Sequence, residues 1–160
     1  MKHTISVIVE NKPGILSRVA GLFARRGFNI ESLAVGVTED PAISRMTISA
    51  EGDEQDLEQI LKQLYKLIDT IKVFDLPHEK AIEVELALIK VSASDKTRAE
   101  ITQIVDVFKA KIVDASESSI IIQIADESSK VASMEEMLRK YGVKELVRTG
   151  KIALLKGSAE

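Results

Sequence analysis

Twice along this chain of 160 residues the spacing of apolar side chains switches from every second position to every third or fourth, and back, in the same order. Ile5, Val7 and Val9 alternate with Thr4, Ser6 and Ile8, the period of a strand. Asn11-Lys12-Pro13-Gly14 then turns the chain, and Pro13 suits a first helical position. Ile15, Val19, Leu22 and Phe23 fall on one helical face, and Gly27 ends that helix as a left-handed glycine would. Residues 28–37 read as a second strand and 38–41 as a loop. In a third strand, 43–50, Met46, Ile48 and Ala50 oppose Arg45, Thr47 and Ser49. Asp53 is placed to cap a second helix with Asp56 in its first turn, and Leu57, Ile60, Leu61, Leu64 and Ile68 form its stripe. Residues 70–76 close the set as a fourth strand.

Pro77-His78-Glu79-Lys80 is short and polar, so a linker is expected at 77–81. The order then repeats: a strand at 82–91, a helix carrying Ile101, Ile104, Val105 and Phe108, and strands at 111–115 and 120–125. A helix with Val131, Met134 and Leu138 follows, then a strand at 143–147 and an apolar tail at 152–155. Asp95 and Asp126 are the expected caps. The fold class is therefore α+β: two ferredoxin-like βαββαβ domains, 1–76 and 82–160, each an antiparallel sheet with two helices on one face. The other sheet face and the edges need cover. Ile8, Leu33 and Val35 are expected on that face or near an edge, which points to a homodimer at least.

Composition narrows the function classes. A net charge of -3 argues against a nucleic-acid binder, which needs a basic face; Arg25-Arg26 reads as a solvated helix end. The chain has no cysteine, which excludes disulfides, thiolate nucleophiles and Cys-held metals. No apolar run approaches the roughly 20 residues of a membrane span, and the start lacks a signal-peptide pattern. A cytoplasmic protein is expected.

Catalytic groups are scarce. His3 and His78, the only histidines, read as surface residues without metal-ligand spacing. Glu83 and Glu85 alternate on the strand after the linker, and a solvated strand face is the expected explanation. No Gly-rich phosphate loop or nucleophile elbow is present. One constellation remains. Asn11-Lys12-Pro13-Gly14-Ile15 opens a helix, whose free N–H groups favour an anion. Gly14 lets a ligand approach the backbone, and Asn11 offers a donor and an acceptor. Asn29 adds a second amide amid large apolar groups, in Gly27-Phe28-Asn29-Ile30. These groups suit an α-amino acid with an aliphatic side chain. They equally suit a plain turn and a polar strand edge, so the residues alone leave both open.

The strand followed by Asn11-Lys12-Pro13-Gly14-Ile15-Leu16, with Gly27-Phe28-Asn29-Ile30-Glu31-Ser32-Leu33 in the same half, resembles an ACT domain. Leu22-Phe23-Ala24-Arg25-Arg26-Gly27, Ser44-Arg45-Met46-Thr47-Ile48, Gln63-Leu64-Tyr65-Lys66-Leu67-Ile68 and, in the second half, Glu85-Leu86-Ala87-Leu88-Ile89-Lys90-Val91 are similar to the acetolactate synthase small-subunit family. The resemblance covers nearly the whole chain. It implies a non-catalytic regulatory subunit of branched-chain amino acid biosynthesis. Such a subunit activates a large catalytic subunit and confers feedback inhibition by valine. It implies thiamine diphosphate, a divalent metal and FAD in that partner and no cofactor in this chain. It also implies a valine site between two ACT domains, from Asn11, Gly14 and Ile15 of one subunit and Asn29 and Ile30 of the other. The loop Ser92-Ala93-Ser94-Asp95-Lys96 lacks the Pro-Gly pair, so no second site of this kind is expected. The alternative is a free-standing ACT-domain sensor acting on another partner.

Overall fold

The computed structural model describes residues 1–157, which form two compact units. The first holds Met1–Ile82 together with the chain from Gly150 onward, and the second holds Glu83–Thr149. In the first, β1 (Lys2–Glu10), α1 (Ile15–Arg25), β2 (Ile30–Val37), β3 (Ile43–Glu51), α2 (Glu54–Tyr65) and β4 (Thr70–Asp75) follow in the expected order. Their antiparallel sheet runs β2-β3-β1-β4. In the second, β5 (Ala81–Ser92), α3 (Arg98–Val107), β6 (Lys111–Ala115), β7 (Ser119–Asp126), α4 (Ser128–Leu138) and β8 (Val143–Arg148) give the same arrangement, β6-β7-β5-β8. The architecture is the doubled ferredoxin-like βαββαβ plan.

Strand alternation fixes which side of the first sheet is apolar. Ile5, Val7 and Val9 of β1 and Met46, Ile48 and Ala50 of β3 bury against Ile15, Val19, Leu22 and Phe23 of α1 and Leu57, Ile60 and Leu64 of α2. The register opposes Leu33 to Ile48 and Val35 to Met46, so both lie on the helix side of β2, at the edge of the sheet. Ile8 opposes Arg45 on the other face. Leu33 packs against the core, whereas Val35 and Val37 remain exposed.

Both helix ends in this unit close by local chemistry. After α1, Gly27 (φ 72°) donates its N–H to Ala24 and Phe28 donates to Phe23. This is the paired closure that a left-handed residue permits. It carries Phe28 edge-on against the fully buried Phe23, with ring centroids 6.2 Å apart. At α2, Asp53 accepts the Asp56 N–H and Asp56 accepts the Asp53 N–H, a reciprocal capping box.

Several local expectations yield to the structure. Gly14, at φ 85°, occupies the N-cap position of α1, so Pro13 lies in the turn and not in the first helical turn. Ile68 lies beyond α2 and is 96% exposed. Asp95 does not cap α3: Thr97 Oγ1 accepts the Ser94 N–H at 2.9 Å and holds that turn, and Thr97 occupies the cap position. Asp126 accepts the adjacent Glu127 N–H and pairs with Lys130 at 3.9 Å, and Glu127 occupies the position before α4. Glu85 is not solvated; it is buried on β5 and ion-paired with Arg148 of β8, whose Nε donates at 2.8 Å. His3 is also buried, with Nε2 3.0 Å from the Gly52 carbonyl.

The expected division put the tail in the C-terminal domain. Its strand β9 (Ile152–Leu155) pairs with β5, and its residues cluster with the first unit. Ala153 is buried with Leu76 and Ala81, and Phe74 and Leu155 pack around them. The Lys156 N–H donates to the Lys80 carbonyl at 2.9 Å. Gly150, at φ 79°, backs onto β2 so closely that a Cβ there would stand 2.7 Å from the Ser32 Cβ. Gly150→Ala is therefore expected to destabilise the protein by roughly 2–4 kcal/mol, combining a left-handed L-residue with overpacking. Urea titration measures it; an unchanged midpoint would mean that the Ser32 contact yields freely.

Candidate functional site

The loop between β1 and α1 is tied down on both sides. The Asn11 N–H donates to the Ala42 carbonyl at 2.8 Å, and its Nδ2 donates to the Pro41 carbonyl at 3.1 Å. The amide nitrogen is thus occupied by the β2–β3 loop, and Oδ1 is the end able to accept from an ammonium. Lys12 is held sideways by Glu10, Nζ to Oε2 2.8 Å, and stands 3.7 Å from Asp69. The hydrogen bond from Lys12 to Glu10, then the charges of Glu10 and Asp69, raise the ammonium's pKa above its ordinary value. Asp69, nearly buried, also binds Arg18 of α1 at 2.7 Å, and its carbonyl accepts the Glu10 N–H at 2.9 Å. This brace of Glu10, Lys12, Arg18 and Asp69 was not singled out in the sequence. Its only signal there is charge near a turn, because Asp69 reaches the loop from just before β4.

Within that frame Gly14 is open. A Cβ built on it meets nothing within 4 Å. The Arg18 N–H bonds to the Gly14 carbonyl, and the amides just ahead of it have no helical carbonyl four residues back. Ile15 sends its side chain into the core, so only its backbone can meet a ligand. The loop presents amide donors, a helix dipole's positive end and the Asn11 oxygen, a combination that accepts a carboxylate and a neighbouring ammonium.

Asn29 is exposed and Ile30 half-buried, at the start of β2. They do not join the loop within one chain. Ile30 pairs with Ala50 at one end of β3, while Glu10 pairs with Ile43 at the other. The seven residue steps of strand from one position to the other separate the two groups by about 23 Å.

The first unit's residues 5–72 match the AHAS small subunit-like ACT domain, and residues 84–157 match the small subunit of acetolactate synthase. The chain is 54% identical to a probable acetolactate synthase small subunit of Archaeoglobus fulgidus, covering 99% of both chains. It is 44% identical to the acetolactate synthase small subunit of Bacillus subtilis, covering 100% of this chain and 94% of that one. The crystal structure of the small subunit from Thermotoga maritima superimposes with a TM-score of 0.91, at 44% identity over 98% of each chain. The chain belongs to the acetolactate synthase small-subunit family. Among the described residues no helix is long and apolar enough to cross a membrane.

Proposed function

We propose that this chain is the non-catalytic regulatory subunit of a cytoplasmic acetolactate synthase. It activates a thiamine-diphosphate-dependent large subunit, which holds the divalent metal and FAD, and it conveys feedback inhibition by valine. The observation that carries the effector site is the 23 Å-scale separation of two half-sites along one sheet, together with an open edge. β2 is that edge, and Val35 and Val37 are exposed on it. If β2 pairs antiparallel with β2 of a second copy, its Ile30 end lies beside the partner's Val37 end. Val37 pairs with Ser44, two residues from Ala42, which holds Asn11. Asn29 and Ile30 of one copy then meet Asn11, Gly14 and Ile15 of the other. The ligand's carboxylate takes the amides of Gly14 and Ile15, its ammonium the amide oxygens, and its side chain the apolar edge.

Regulation follows by linkage. Valine binds between the two copies and favours one arrangement of the pair, and that arrangement activates the large subunit less. The deciding experiment is an acetolactate assay of the large subunit with and without this chain, across added valine. Activation that valine reverses supports the reading. An unaltered large-subunit rate at every ratio would favour the free-standing sensor instead.

Asn29→Ala is expected to weaken valine binding by about 1–3 kcal/mol, the effect of removing a buried amide contact. Titration calorimetry on the purified chain measures it, and an unchanged dissociation constant would remove Asn29 from the site.

A further inference from the structure

The face of the first sheet turned away from its helices carries a second group of polar atoms that the valine reading does not use. By register, Arg45 of β3, Ile8 of β1 and Lys72 of β4 form one row across it. Thr47, Ser6 and Phe74 form the next. The Arg45 guanidinium stands 5.2 Å from the Phe74 ring centroid and the Lys72 ammonium 5.0 Å from it. Two cations thus converge on one aromatic ring, and among the described residues neither forms an ion pair.

The donors beneath are unspent. Arg45 Nε is buried with no hydrogen-bond partner, and one terminal nitrogen makes only a 3.4 Å bond to the Ala153 carbonyl. Ser6 is fully buried, and its hydroxyl also lacks a partner. Buried donors without acceptors are unfavourable. The acid whose charge Arg45 feels is Glu39, in the β2–β3 loop, and it makes no ion pair with Arg45. Lys72 is exposed, so the group opens to solvent on the β4 side.

We propose that Arg45, Lys72 and the Ser6 hydroxyl form an anion site on this face, taking a small polyvalent oxyanion. The guanidinium offers Nε to an oxygen, the serine hydroxyl donates to another, and the lysine supplies charge at the mouth. The site lies on the opposite face of the sheet from the helices and uses none of the residues assigned to valine.

Thermal unfolding of the full chain with inorganic phosphate, against sodium chloride at matched ionic strength, tests it. At ten times its dissociation constant, phosphate is expected to raise Tm by about 3–6 °C in the wild type. Arg45→Met is expected to lose that increment, while keeping whatever general stabilisation phosphate gives any protein. Equal shifts in the two proteins would overturn the site. Should Arg45→Met fail to fold, Lys72→Met decides, since Lys72 is exposed: calorimetry is expected to show phosphate binding at least five-fold weaker. Wild-type affinity in Lys72→Met, or no phosphate binding by the wild type, would overturn the proposal.

Discussion

Gly14→Asp is expected to abolish valine inhibition of the reconstituted complex while leaving activation of the large subunit largely intact. The space for the new side chain exists, since a Cβ at Gly14 meets nothing within 4 Å. The backbone there sits at φ 85°, a conformation that Asp tolerates better than most L-residues, so folding should survive. What changes is electrostatic. A carboxylate would stand where the ligand's own carboxylate is expected, beside the amides that start α1. Like-charge juxtaposition of this kind opposes binding by several kcal/mol, or more than about 100-fold in the valine required. Gly14→Asn separates charge from backbone effects: it matches Asp in size and conformational preference and should lose far less sensitivity. A Gly14→Asp complex as valine-sensitive as wild type would remove the loop from the effector site.

If two copies pair through β2 as proposed, Val35→Lys should convert that dimer to a monomer and lose valine binding with it. Val35 is 47% exposed on an edge strand, and the apolar edge is what the second copy is expected to cover. Two introduced ammonium groups would face each other's strands across a desolvated seam, where like charges are strongly unfavourable. Light scattering after size exclusion reports the mass, and calorimetry reports the valine site. Because Asn29 and the Asn11 loop lie at opposite ends of β3, a monomer would hold only halves of the proposed site. A monomeric variant that still bound valine with wild-type affinity would show that one chain suffices.

Much of this was legible in the sequence, for physical reasons that differ by residue. The alternation of Ile5, Val7 and Val9 and the helical stripe of Leu57, Ile60 and Leu64 are local periodicities, and each reappears as a buried face. Gly27 and Asp53 act on neighbours within five residues, so their roles as helix stop and cap could be read directly. Asp95 and Asp126 carried the same type of signal, but Thr97 and Glu127 occupy the cap positions. Glu85 looked solvated because its cation, Arg148, lies 63 positions away. The brace on Lys12 was hidden in the same way, since Asp69 arrives from the far end of the domain. Asn11 was legible as a polar turn residue; that its nitrogen is taken by the Pro41 carbonyl depends on the β2–β3 loop.

The return of residues from Gly150 to the first unit has a consequence for synthesis. In chain order the second unit is an insertion within the first. On the ribosome, Met1–Ile82 emerges early but lacks the strand that buries Leu76 and Ala81 until the last residues follow. Glu83–Thr149 has all of its own segments beforehand. The unit translated first is thus the one completed last, and it cannot reach its finished form before the rest of the chain has been made.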